Sequence, residues 1–172
     1  MSVALSVGDP LPSVGLRATD GYLLNLRSFV TKQPSAFLFF GGPTLSGAAA
    51  TPGLAAVKAL AAGHARLREA GIAVAAISCD SEEEQTAFAQ QHELPFLLFS
   101  DARRSAVEML GVPTVTQRDN VNVAKPLVLV ADLDGIVRTL IDRVDPTYLV
   151  EQVMSALSEP IPAATEDAQA LS

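Results

Sequence analysis

The amino-acid sequence predicts an α/β fold with a mixed central sheet, helices on both of its faces and an N-terminal β-hairpin. Short apolar segments of strand length alternate with segments of helical periodicity, which is typical of β-α-β units. A second hairpin and a final helix close the chain, so antiparallel strands must join the parallel ones. The 172 residues suit a single domain. We expect that domain over residues 1–158 and a mobile tail over residues 159–172, where apolar side chains are too few to offset the ordering entropy.

The N-terminal part predicts an extended lead-in followed by a hairpin. Residues 7–12 include Pro10 and Pro12, which disfavour a helix. Residues 14–19 and 22–26 flank Asp20-Gly21, a dipeptide that tolerates the positive φ of a hairpin turn.

The next segments predict a central strand, a loop and a helix. Residues 35–40 are apolar and aromatic, as expected for a strand covered on both faces, and residues 41–50 lack periodicity. Thr51 can serve as an N-cap before Pro52, and the helix should then run to about Glu69. Its apolar stripe, which should face the sheet, is formed by Leu54, Val57, Leu60 and Leu67.

The second half predicts four more strands and three helices. Residues 72–78 should form a buried strand, and Ser81 with Glu84 forms a capping box for a helix over residues 82–91. The remaining elements are a strand at 97–99, a helix at 103–110 closed by Gly111, a hairpin of 126–131 with 136–141, and a last helix from Pro146 to about 157. This order of elements matches the thioredoxin-like fold.

Composition narrows the possible partners. The net charge of −7 repels nucleic acid and anionic lipid, and there is no basic stripe to offset it. The N-terminus lacks a signal-peptide pattern and no apolar run has the length of a membrane span, so we expect a cytoplasmic protein. Cys79 is the one cysteine, which excludes a disulfide within the chain and a Cys-x-x-Cys motif.

Several short segments are together similar to the peroxiredoxins of the alkyl hydroperoxide reductase and thiol-specific antioxidant family, particularly the bacterioferritin-comigratory type. The resemblance spans residues 7–157 and implies the thioredoxin-like fold. It rests on the order and spacing of residues 7–12, 37–40, 51–53, 77–81, 94–101, 111–112, 125–126 and 132–135.

The resemblance implies a peroxidatic cysteine in a Thr-Pro-Gly-Cys turn, but here the turn contains Thr51, Pro52, Gly53 and Leu54. In the family, the helix N-terminus and an arginine lower the pKa of that thiol, which attacks peroxide and becomes a sulfenic acid. Leucine has no ionisable or redox-active atom. The family arginine also corresponds here to Lys125, which keeps the charge but lacks the planar fork.

Three functional hypotheses follow. The first is a peroxiredoxin-like protein without peroxidase activity, retained for binding or assembly, with a homodimer or another protein meeting the former active-site face. The second is a thiol-dependent peroxidase that uses Cys79 and an external reductant. The third is a carrier of a small ligand in the former peroxide pocket. Acidic neighbours of Cys79 should raise the pKa of its thiol, which favours an inert, partly buried side chain.

Other candidate residues have simpler structural explanations. Neither histidine has a second ligand at metal spacing, so we predict no metal site and no cofactor. The carboxylates of the Asp-x-Asp-Gly sequence fit turn chemistry. Three basic residues could form a small positively charged surface, but single exposed charges are a simpler explanation for them. These candidates are His64 and His92, Asp132 and Asp134, and Arg103, Arg104 and Lys125.

Overall fold

A computed structural model of the protein describes residues 5–117 and 120–158, and the predicted mobile tail, 159–172, lies outside the described residues. The strands are β1 Gly15–Ala18, β2 Leu23–Asn25, β3 Ser35–Phe39, β4 Ala73–Ser78, β5 Leu97–Ser100, β6 Thr114–Gln117, β7 Asn120–Ala124, β8 Leu127–Ala131 and β9 Val137–Ile141. The α-helices are α1 Leu26–Val30, α2 Thr51–Ala62, α3 His64–Glu69, α4 Glu82–Gln91, α5 Ser105–Leu110 and α6 Leu149–Ser158.

Seven of the strands form one mixed sheet in the order β2-β1-β5-β4-β3-β8-β9. Strands β3, β4 and β5 are parallel, and β1, β2, β8 and β9 join antiparallel to their neighbours. Phe37 in the central strand β3 pairs with Ala75 on one side and Leu129 on the other. The predicted mixed sheet is confirmed, and the carboxyl ends of three parallel strands meet at one edge.

Alternation along the strands divides the core between the two faces of the sheet. On one face, Leu38 and Phe40 lie in a buried cluster with residues of α2, α3, α4 and α6. On the other, Phe37 and Phe39 lie in a cluster with residues of α1 and α5. Helices therefore cover both faces, as predicted.

Both predicted hairpins are present, and the structure adds one that the sequence did not reveal. Gly21 adopts a φ of 92° in the β1-β2 turn, as the Asp20-Gly21 dipeptide indicates. The additional hairpin joins β6 to β7 and stands apart from the main sheet. Its segment lacks a glycine turn signal and mixes threonine and asparagine with valine, so the local pattern did not distinguish it from a loop.

The prediction of one continuous helix from Pro52 to Glu69 is wrong, because the helix is interrupted at Gly63. A Cβ at Gly63 would overlap Cγ2 of Val150 in α6, so the chain at this point lies against another helix. The predicted cap is also wrong. Ala50 occupies the N-cap position, and Thr51 is the first residue of the helix. The Thr51 hydroxyl donates to the carbonyl of Gly47 at 3.4 Å.

Several other boundaries differ from the predictions for local reasons. Residues 41–50 are not a plain loop but contain two 3-10 helices, Gly42–Thr44 and Gly47–Ala50. Helix α5 begins at Ser105 because Arg104 has a φ of 60°. Helix α6 begins at Leu149 rather than Pro146, since Asp145 first closes a turn by accepting from the backbone N–H of Tyr148. Leu26 starts the unpredicted helix α1, capped by the Asn25 side chain.

Candidate functional site

The first turn of α2 lies after the carboxyl end of β3. Gly53 is buried here, and a Cβ at this position would lie 3.2 Å from Cβ of Phe40. The helix therefore packs closely on the residue that follows β3. This close approach explains the glycine of the Thr-Pro-Gly sequence in terms of packing, since a Cβ here would require Phe40 or the helix to shift by a few tenths of an ångström.

The other residues of this turn face outward to different degrees. Thr51 and Pro52 are exposed, whereas Leu54 is half-buried. The buried side of α2 consists of Gly53, Ala56, Val57 and Leu60, and Leu67 in α3 is buried as predicted. Leu54 therefore lies at the margin of the predicted stripe and not at its centre. Its hydrocarbon side chain offers neither an acid nor a nucleophile at the start of this helix.

Cys79 lies on the other face of the sheet. Its side chain belongs to the cluster that contains Ala75 and Ile77, whereas Gly53 packs against Phe40 on the opposite face. Cys79 is 6% exposed. Burial raises the pKa of its thiol, and the charge of Asp101 raises it further, although Arg104 and the backbone N–H of Ala124 act in the opposite direction. The arrangement favours a protonated, poorly nucleophilic thiol.

Asp101 is a buried carboxylate that the sequence analysis did not single out. Its Oδ1 accepts from the N–H of Ala106 at 3.0 Å and its Oδ2 from that of Val107 at 2.9 Å. It thereby satisfies backbone donors in the first turn of α5. Burial raises the pKa of Asp101, and the backbone N–H donors of α5 oppose that shift. An acidic residue just before a short helix was the signal that could have indicated this cap.

A second buried polar group lies beneath the 3-10 helix Gly42–Thr44. The Nε2 of Gln85 donates to Ser78 Oγ at 2.9 Å and to the carbonyl of Phe99 at 2.8 Å, so α4 is joined to β4 and β5. Asp80 is 1% exposed, and a Cβ at Gly42 would overlap its Oδ2. The capping box predicted α4, but nothing local distinguished Gln85 from the polar residues beside it.

The three basic residues of the predicted positive spot have different surroundings. Arg103 is exposed and lines a cleft at the sheet edge. Arg104 donates to the carbonyl of Ala102 at 2.8 Å and acts electrostatically on Cys79. Lys125 is exposed between β7 and β8, where its backbone N–H donates to Pro113 at 2.8 Å.

The histidines pack against aromatic rings. The ring of His64 lies 6.0 Å from that of Phe96, and His92 lies 4.5 Å from Phe88. Burial lowers the pKa of His64, and the charge of Arg68 adds to the effect.

The Asp-x-Asp-Gly sequence forms a turn, as predicted. Asp132 Oδ1 accepts from the backbone N–H of Asp134 at 3.0 Å and from that of Ile136 at 3.1 Å. Its Oδ2 pairs with Arg138 at 3.2 Å, so this carboxylate is committed to the β8-β9 hairpin.

Within residues 5–117 and 120–158, no group of three or more His, Cys, Asp or Glu side chains could hold a metal ion. Over the same residues, no helix has the length and apolar character needed to cross a membrane.

Comparisons with known proteins agree with this architecture. The sequence model of the AhpC/TSA family matches residues 7–140. No curated protein matches the sequence. Among solved structures, peroxidoxin BcpB from Mycobacterium tuberculosis is similar with a TM-score of 0.74 and 21% identity, over 88% of this chain and 96% of that chain.

Two further structures show the same fold at lower sequence identity. A PrxQ mutant from Xylella fastidiosa has a TM-score of 0.75 and 16% identity, over 91% of this chain and 97% of that one. AhpC from Enterococcus faecalis has a TM-score of 0.73 and 14% identity, over 92% and 94%. The matched span includes the sheet, the first turn of α2 and the Asp132 turn, and on this basis the chain belongs to the AhpC/TSA family.

Proposed function

We propose that this peroxiredoxin-like protein lacks thiol peroxidase activity and is retained for binding or assembly. The observation on which the proposal rests is Leu54, half-buried in the first turn of α2 where family chemistry requires a thiol. A sulfenic acid can form only on sulfur. The hydroxyl of Thr51 is no substitute, because hydroxyls are not appreciably ionised near neutral pH.

The surroundings of Cys79 argue against the alternative, a peroxidase built on that residue. A thiolate nucleophile needs access to peroxide and a low pKa. Cys79 is nearly inaccessible, burial raises the pKa of its thiol, and it lies on the opposite face of the sheet from Phe40 and Gly53.

A peroxide-consumption assay tests the proposal directly. The purified protein is incubated with hydrogen peroxide and either dithiothreitol or thioredoxin with its reductase, alongside Cys79→Ser. We expect equal, background rates of peroxide loss for both proteins. Turnover by the wild-type chain that disappears in Cys79→Ser would overturn the proposal and support the peroxidase hypothesis.

The surface around the start of α2 suits a second copy of this chain as the binding partner. Gly47, Ala48, Ala49, Thr51 and Pro52 are all exposed, and none is charged. Two copies that each have a net charge of −7 repel one another over most orientations. A neutral patch of small side chains is therefore a favourable place for them to meet.

Analytical ultracentrifugation of charge variants tests this assembly. Ala48→Glu places like charges opposite each other in a twofold interface at this patch, so we expect the dimer to dissociate. The matched control, Ala65→Glu, adds the same charge to an exposed site on α3 and should leave the dimer intact. A wild-type monomer at high concentration, or equal behaviour of both variants, would contradict assembly through this face.

A further inference from the structure

A cleft of about 470 Å³ opens at the edge of the sheet where β4 and β5 end. Its walls combine the β1-β2 hairpin, the start of α4 and the segment between β5 and α5. The residues at the start of α2 are not part of these walls. The lining side chains that matter are Arg17, Arg103, Ser81, Ser105, Leu16 and Leu23.

The topology explains why a cleft forms at this point. Helix α4, which follows β4, packs on one face of the sheet through Phe88, whereas α5, which follows β5, packs on the other through Val107. The two connections leave the carboxyl ends of adjacent parallel strands in opposite directions. Open α/β sheets bind ligands in the crevice created by such a switch.

The acidic side chains of the cleft are already engaged. Asp101 is 1% exposed and its two oxygens accept from backbone N–H groups of α5. Glu82 Oε2 pairs with Nε of Arg17 at 2.9 Å. Neither carboxylate is paired with Arg103 in the structure.

Arg103 remains the uncommitted charge. It is exposed, and no partner for its guanidinium lies among the residues that the structure describes. Arg17, on the opposite wall, is paired with Glu82, and Ser105 supplies a hydroxyl group. A guanidinium group binds a planar carboxylate through two parallel hydrogen bonds.

The same cleft has an apolar part. Leu16 is buried at its base, and Leu23 is 67% exposed in the edge strand β2. A short hydrocarbon chain placed against these two leucines would remove the exposed apolar surface of Leu23 from water.

We propose that this cleft binds a small organic carboxylate, with the carboxylate on Arg103 and its hydrocarbon part against Leu16 and Leu23. The proposal is independent of whether the protein reduces peroxides, since it uses neither Leu54 nor Cys79. The proposed ligand binds at a cleft that contains no residue of the first turn of α2.

Titration with hexanoate, followed by ¹⁵N–¹H correlation spectra, tests the proposal. We expect saturable shifts of backbone signals from residues 81–82 and 100–105. Arg103→Gln should weaken the binding by about tenfold or more, because a charge-assisted hydrogen-bond pair is lost. The matched control is Arg143→Gln, which removes the same charge at an exposed site just after β9 and should leave binding unchanged.

Hexylammonium and hexanol separate charge recognition from apolar contact, and neither should saturate the site. The proposal is overturned if hexanoate causes no saturable shifts, if Arg103→Gln binds as tightly as the wild type, or if either comparison compound binds equally well. Because Arg103 is exposed, signals outside the cleft should be unchanged in Arg103→Gln, which verifies that the variant is folded.

Discussion

Leu54 is a half-buried residue in the first turn of α2. The turn around it contains Thr51, Pro52 and Gly53, and Gly53 packs against Phe40. The first turn of α2 therefore lies close to the sheet and has a hydrocarbon side chain at residue 54.

Placing a cysteine at position 54 tests whether the first turn of α2 can stabilise a thiolate. In Leu54→Cys combined with Cys79→Ser, we expect a thiol pKa below the ordinary value of about 8.5, since the N-terminus of α2 favours an anion. Thiolate absorbance at 240 nm across a pH titration measures this pKa. A value at or above the ordinary one would show that this turn no longer stabilises an anion.

Cys79 should behave in the opposite way. Burial and the charge of Asp101 raise the pKa of its thiol, so the folded protein holds this proton at a pH where the unfolded chain has lost it. The resulting contribution to the free energy of unfolding is complete below about pH 8.5 and is lost as pH rises through the folded pKa.

Unfolding in urea at pH 8 and pH 10 measures the contribution of Cys79. The wild type should lose more stability between these pH values than Cys79→Ala does. Equal losses in the two proteins would mean that the folded-state pKa of this thiol is not raised.

Two independent features of the structure favour glycine at position 42. Its φ is 60°, and a Cβ would also overlap the carboxylate of Asp80. We expect Gly42→Ala to lower the free energy of unfolding by about 2 to 4 kcal/mol, from backbone strain together with overpacking.

Gly47→Ala is the matched control for Gly42→Ala. Gly47 has a φ of 65° but nothing within 4 Å of an added Cβ. Gly47→Ala should therefore lower the free energy of unfolding only by the backbone strain of a positive φ, about 1 kcal/mol. Equal losses in urea unfolding would show that the contact with Asp80 contributes nothing to the requirement at Gly42.

Among the secondary-structure elements, the break between α2 and α3 involves two opposing contributions to stability. Alanine at Gly63 would favour a continuous helix, but its Cβ would overlap a neighbouring helix. Alanine in place of Gly63 improves helix propensity by about 1 kcal/mol. Its Cβ, however, would overlap Val150 in α6, and overpacking of this kind costs about 1 to 3 kcal/mol. We therefore expect Gly63→Ala to be destabilising overall in thermal or urea unfolding.

A double variant identifies the cause of that loss. Val150→Ala removes the overlapping methyl groups, so Gly63→Ala should be neutral or stabilising in that background. If Gly63→Ala is equally harmful in both backgrounds, the cost lies in the local geometry of the α2-α3 junction and not in its contact with α6.

At the scale of the whole molecule, stability as a function of pH reports on Asp101. Burial raises the pKa of this carboxyl, so the folded state binds its proton more strongly than the unfolded state does. Its contribution to stability is complete below about pH 3.9 and is lost as pH rises through the folded pKa.

Comparing the wild type with Asp101→Asn isolates the contribution of Asp101 to the pH dependence of stability, because the other carboxylates are the same in both proteins. The free energy of unfolding of the wild type, minus that of Asp101→Asn, should increase as the pH falls from 7 to 4. Guanidinium chloride unfolding at each pH provides both values. A difference that stays constant or decreases would show that the pKa of Asp101 is not raised in the folded protein.

Features that depend on neighbouring residues can be predicted from the amino-acid sequence alone. The Asp20-Gly21 dipeptide specified a hairpin turn, and Ser81 with Glu84 specified the start of α4, because turns and caps are formed within a few residues. The apolar segments at β3, β4 and β8 specified buried strands, and the order and spacing of short segments along residues 7–157 indicated the family.

Features that depend on residues distant in sequence become visible only in the folded protein. Gly63, at the end of α2, lies against Val150, and the buried Gln85 donates to Ser78 and Phe99. The cleft at Arg103 exists because α4 and α5 leave neighbouring strands toward opposite faces of the sheet. Local propensity does not encode these contacts, since each arises only when separate elements pack together.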